Sequence, residues 1–96
     1  MTLNEAWVAF SNQVQSKVKD DAEKKGYGGS DEAKMQLMME TEAGAPHCGH
    51  ALGEIKYKVS RYIAKRASED LVKIAAWAFL IYWKEHGTTV KSSNSG

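Results

Sequence analysis

Apolar residues recur with helical spacing in four stretches of this chain, separated by glycine- and proline-marked breaks. In the first, Leu3, Trp7, Phe10, Val14 and Val18 follow one another at steps of four, three, four and four. That spacing predicts one apolar stripe along a helix. Thr2 is placed to cap it, with Glu5 reaching back three residues later. The mixed-charge run Lys19 to Lys25 reads as solvated, and Gly26-Tyr27-Gly28-Gly29 stops the helix where a positive φ is needed. Ser30 caps a second helix, with Asp31 and Glu32 opposing its dipole. Its apolar content is Met35, Leu37, Met38 and Met39, and the flexibility of methionine predicts the loosest packing of the four. Gly44-Ala45-Pro46 ends it.

A third helix is predicted from His47 or His50 to Lys65. Leu52, Ile55, Val59, Tyr62 and Ile63 form the stripe expected to be buried. His50, Glu54, Lys58, Arg61 and Lys65 share an arc of roughly 80° on the opposite side, the face expected to be solvated. Ser68 is placed to cap a fourth helix, with Glu69 and Asp70 in its first turn, Lys84 and His86 near its end and Gly87 as its stop. Residues 74–83, Ile-Ala-Ala-Trp-Ala-Phe-Leu-Ile-Tyr-Trp, are apolar all round. A surface helix needs one stripe only, so this helix belongs at the centre of an all-α fold. The expected architecture is a four-helix bundle over residues 1–87, followed by a flexible, serine-rich polar tail over 88–96. Oligomerisation completes the bundle, as a homodimer or tetramer associating through the fourth helix and also the first. No strand pattern competes.

Composition narrows the setting. Ninety-six residues bound one domain, and a net charge of +1 provides no field that would gather nucleic acid or acidic membrane. The apolar run at 74–83 is too short for a bilayer, which takes about 20 residues. The N-terminus lacks the regions of a signal peptide, and the single cysteine, Cys48, has no intrachain partner. A reducing, cytoplasmic location is the expectation.

Several groupings could carry chemistry. Pro46-His47-Cys48-Gly49-His50 offers imidazoles and a thiol, but a structural zinc site needs a second ligand pair and only His86 remains. Local loop chemistry is the better reading. Lys56, Lys58, Arg61, Lys65 and Arg66, with Tyr57 and Tyr62 among them, do not share one helix face, which argues against a nucleic-acid surface. Trp77, Phe79, Tyr82 and Trp83 read as core or interface before they read as a ligand pocket. Glu54 and Lys58 make an i,i+4 pair with Arg61 one turn on. This is either a solvated face of weak ion pairs or a carboxylate for metal beside two cations for phosphate.

Helices three and four also carry a resemblance. His50-Ala51-Leu52-Gly53-Glu54-Ile55-Lys56-Tyr57-Lys58-Val59-Ser60-Arg61-Tyr62, followed by Glu69-Asp70-Leu71-Val72-Lys73-Ile74-Ala75-Ala76-Trp77-Ala78, resembles the MazG-like all-α nucleoside triphosphate pyrophosphohydrolases. The likeness covers about a third of the chain. It implies that Glu54, with Glu69 or Asp70, ligates Mg²⁺, that Lys58 and Arg61 neutralise substrate phosphates, and that water attacks between the α- and β-phosphates. Lys73 stands where the family has an aspartate, and Tyr57 and Lys58 where it has further acids. An ammonium beside a metal site repels by several kcal/mol at short range. Glu40 and Glu42 are the substitute acids if helix two packs alongside; otherwise Lys58, Arg61 and Lys73 grip phosphate directly, leaving nucleotide binding by a degenerate site. The alternative function is a non-catalytic helical module for protein–protein interaction or oligomerisation.

Overall fold

The computed structural model describes residues 1–43 and 48–87. Four α-helices follow in order: α1 Leu3–Lys24, α2 Asp31–Glu42, α3 Gly49–Lys65 and α4 Ser68–Tyr82, the last running on into a π-helical turn, Trp83–Gly87. The expected all-α class holds. Expected features at Gly44 to His47 and in the tail lie outside the described residues.

Local chemistry sets most of the boundaries. Thr2 Oγ1 accepts from the Glu5 amide at 3.1 Å while Glu5 Oε1 accepts from the Thr2 amide at 2.8 Å, a reciprocal capping box. At the far end of α1, the Tyr27 amide donates to Ala22 O at 3.1 Å and the Gly26 amide to Glu23 O at 3.0 Å. Gly26, at φ 87°, allows this two-bond exit because it has no Cβ to clash. Ser30 Oγ accepts from the Ala33 amide at 3.1 Å and opens α2. Ser68 departs from expectation. It is the first residue of α4, and the cap position falls to Ala67, which has no side-chain hydrogen bond to offer. The corner between α3 and α4 is therefore only Arg66 and Ala67, with Arg66 in the left-handed region at φ 55°. So short a connection forces the two helices to lie antiparallel as neighbours.

α4 is central, packing against α1, α2 and α3, although Phe79 and Tyr82 remain exposed on it. The core is Val14, Val18 and Ala22 of α1, Met38 and Met39 of α2, Ala43, Ala51 of α3, and Ala76 and Leu80 of α4. Of the apolar residues of α2, Met38 and Met39 are buried in this core and Leu37 is exposed. No helix among the described residues is long and apolar enough to cross a membrane.

Two expected stripes are only partly buried. On α1 the stripe is buried at Val14 and Val18, but Leu3 is 88% and Trp7 63% exposed, because none of the described residues covers the first two turns. On α3 the reversal is more complete. Leu52, Val59 and Ile63 are 48%, 40% and 72% exposed, whereas Glu54, Lys58 and Arg61 are all partly buried. Ala51 is the one fully buried residue of α3 among those described. Ala51 and the stems of Lys58 and Arg61 lie toward the body while Leu52, Val59 and Ile63 face out; Ile55 and Tyr62 of the apolar stripe are partly buried, and His50 and Lys65 of the charged stripe stay exposed.

Candidate ligand cleft

Because α3 is turned this way, its charged stripe meets residues from α1 and α4. Lys17 and Asp21 of α1, Glu54 and Lys58 of α3, and Lys73 and Trp77 of α4 line a cavity of about 140 Å³ whose floor is Val18, Met38, Ala76 and Leu80. It adjoins a wider recess of about 420 Å³ that shares Asp21, Met38, Glu54 and Trp77 and adds Glu42 and His50. The walls are charged and the floor is apolar.

Most of the charges are matched. Lys17 Nζ donates to Asp21 Oδ1 at 2.9 Å, and Lys58 Nζ to Glu54 Oε1 at 3.2 Å. At the recess, Glu42 faces Lys25 at 3.3 Å and His50 Nε2 at 3.6 Å. The His50 ring stands edge-on to Trp77 with centroids 5.4 Å apart. Lys73 differs from these. It lines the cavity, is partly buried and has neither an ion pair nor a side-chain hydrogen bond among the described residues. Three ammonium groups against two carboxylates leave the cavity one positive charge in excess, and Lys73 carries it. A partly desolvated cation without a partner is a ready donor for an anion.

Arg61, expected on phosphate with Lys58, turns elsewhere. Its Nε lies 3.6 Å from Asp70 Oδ2, and Asp70 is wholly buried. Neither Asp70 oxygen makes a hydrogen bond among the described residues. The guanidinium is held above its ordinary pKa, first by side-chain hydrogen bonding with Tyr57 and then by the Asp70 charge. The pair joins α3 to α4 near their shared corner.

The residues that the resemblance would give to Mg²⁺ are not brought together. Glu54 lines the cavity and pairs with Lys58, Asp70 is enclosed beside Arg61, and Glu69 is exposed in the first turn of α4. Glu54 and the Arg61–Asp70 pair are separated by two turns of α3, about 10 Å of helical rise. Of the substitute acids, Glu40 is exposed and accepts from Gln36, while Glu42 reaches only the outer recess. No group of three His, Cys, Asp or Glu able to hold a metal ion forms among the described residues. The donor set does not fit a resident Mg²⁺. Asp21, read in sequence as part of a solvated run, lines the cavity together with Lys17. Their i,i+4 spacing, one step from Val14 and Val18 on the helical wheel, was the signal that α1 would contribute. No family model, curated protein or solved structure matches the chain.

Proposed function

We propose that the chain binds a phosphate-bearing small molecule, of the nucleotide class to which the resemblance points, in the cleft between α1, α3 and α4. The observation that carries this reading is the Lys73 ammonium, without a partner among the described residues, in a cavity it shares with Lys17 and Lys58. The anion is held by ammonium groups directly. Lys58 contributes as the resemblance implies, and Lys73, at the family's acidic position, takes the part of the charge that a metal would supply. Asp21 and Glu54 are acceptors available for hydroxyl or amino groups, and Trp77 gives a partly exposed ring for stacking. The carboxylates that metal-assisted hydrolysis would need do not converge among the described residues.

The test is isothermal titration of the chain with nucleoside mono-, di- and triphosphates and with pyrophosphate, each with and without Mg²⁺. Binding should persist without Mg²⁺ and strengthen with phosphate number. Lys73→Ala should weaken it at least tenfold, about 1.4 kcal/mol, at unchanged helicity. Absence of binding at millimolar ligand, or binding that requires Mg²⁺ and ignores Lys73→Ala, would overturn the reading.

A further inference from the structure

We infer that the cleft selects ribonucleotides over 2′-deoxyribonucleotides, with Asp21 and Glu54 reading the ribose hydroxyls. The inference rests on the phosphate reading above and adds the part of the ligand that joins phosphate to base.

Connectivity places the sugar. The inner cavity of about 140 Å³ is lined by Lys17, Lys58 and Lys73 and takes phosphate. The outer recess, about 420 Å³, lies within the range of about 300–1,000 Å³ usual for small-molecule sites and takes the base. In a nucleotide the sugar stands between those two parts, so it passes the wall that the two spaces share. That wall is Asp21, Met38, Glu54 and Trp77. Met38 and Trp77 are its apolar members, and the two carboxylates supply its charge.

Two carboxylates at that place need a reason, because they repel the phosphate that the lysines attract. Each is tied by one oxygen only. Asp21 Oδ1 accepts from Lys17 and Glu54 Oε1 from Lys58, whereas Asp21 Oδ2 and Glu54 Oε2 have no hydrogen bond among the described residues. The two side chains are 26% and 33% exposed, so their free oxygens open toward the cleft more than toward bulk water. An ionised carboxylate can only accept, and the donors that a nucleotide carries between phosphate and base are the ribose hydroxyls. The same complementarity underlies the acidic residue that binds the ribose 2′-hydroxyl in dinucleotide sites. A 2′-deoxyribose has no hydroxyl to offer there, and the charged acceptor it leaves unpaired is the source of the discrimination.

The test is isothermal titration of the full chain with adenosine triphosphate, 2′-deoxyadenosine triphosphate and pyrophosphate, which has no sugar. The deoxynucleotide should bind about tenfold more weakly than the ribonucleotide, or worse. Replacing both acids, Asp21→Ala with Glu54→Ala, should abolish that preference at unchanged helicity. It should also strengthen pyrophosphate binding, since two negative charges leave the cavity. Glu54→Ala alone should shift both quantities the same way, and serves if the double variant does not fold. Equal affinity for the two nucleotides, with pyrophosphate bound, would overturn the inference and leave the phosphate reading standing. Failure of pyrophosphate and both nucleotides to bind would overturn the two together. A preference that survives loss of the carboxylates would also overturn the inference. So would weaker pyrophosphate binding by the variants, because the acids would then serve only to position the lysines.

Discussion

Removing the same three carbons from two side chains tests whether α3 is turned as described. Leu80 is 1% exposed and sits in the core between α1 and α2, whereas Ile63 is 72% exposed on the outer face. Leu80→Ala loses about 2.4 kcal/mol in transfer free energy, at about 0.8 per methylene. The cavity left behind brings the cost to about 3–4 kcal/mol. Ile63→Ala forfeits only the small share of its surface that the monomer covers, about 0.6 kcal/mol. Alanine's better helix propensity returns up to about half of that. The net change is then within about 0.5 kcal/mol. Urea unfolding monitored by circular dichroism, at a concentration where sedimentation shows a monomer, separates the two cases. Thermal midpoints should differ by well over 10 °C, given a shift of about 4–8 °C per kcal/mol for a domain of this size. If Ile63→Ala costs as much as Leu80→Ala in the monomer, the apolar stripe of α3 faces inward, and the cleft built from its charged stripe does not exist.

Two further outcomes follow from local geometry. Arg66, at φ 55°, occupies a conformation that costs a side-chain-bearing residue about 1 kcal/mol, so Arg66→Gly should raise the unfolding free energy by up to about that amount. A measured loss would mean that the Arg66 guanidinium, 5.4 Å from the Tyr62 ring, outweighs the strain. The Lys34–Glu23 pair, 2.7 Å long and joining α1 to α2, gives the stability curve two limbs. Its hydrogen bond and charge hold Glu23 below 4.5 and Lys34 above 10.5. The Glu23 contribution is complete above pH 4.5 and lost as pH falls through the lowered value; the Lys34 contribution is complete below pH 10.5 and lost as pH rises through the raised one. Lys34→Met should flatten both limbs in urea midpoints measured across pH, and unchanged limbs would deny the pair a role.

Where the sequence was legible, short-range chemistry had settled the matter. Thr2 with Glu5, Ser30, and Gly26 each fix a helix end through atoms no more than five residues away, and each stands where the pattern placed it. The central position of α4 was equally plain, since an all-round apolar helix gains most from several neighbours, though Phe79 and Tyr82 stay exposed. The rotation of α3 was not legible. Amphipathicity says that a helix has two faces; it does not say which of them meets the body. Lys17 and Asp21 were missed for a related reason. They reach the cleft only because α3 presents charges toward α1, and that is a tertiary fact. Ser68 failed as a cap because the tight Arg66–Ala67 corner draws it into the first turn of α4.

The orientation of α3 links the cleft to the outer surface through a single energy balance. Turning the helix half-way round would bury Leu52, Val59 and Ile63, each worth about 1.5–3 kcal/mol when fully covered, in exchange for the partial cover they now have. For a domain of this size, whose whole stability is of order 5–15 kcal/mol, forgoing that gain is a large sacrifice in an isolated chain. The Glu54–Lys58 and Arg61–Asp70 pairs do not repay it, because ion pairs at partly or, as at Asp70, wholly buried positions recover little beyond their own desolvation. The anion proposed for the cleft would offset part of that cost by occupying the inner charges. If it binds there, ligand should raise the unfolding free energy by RT ln(1 + [L]/Kd), and Lys73→Ala should abolish that gain without changing the unliganded stability by more than about 0.5 kcal/mol.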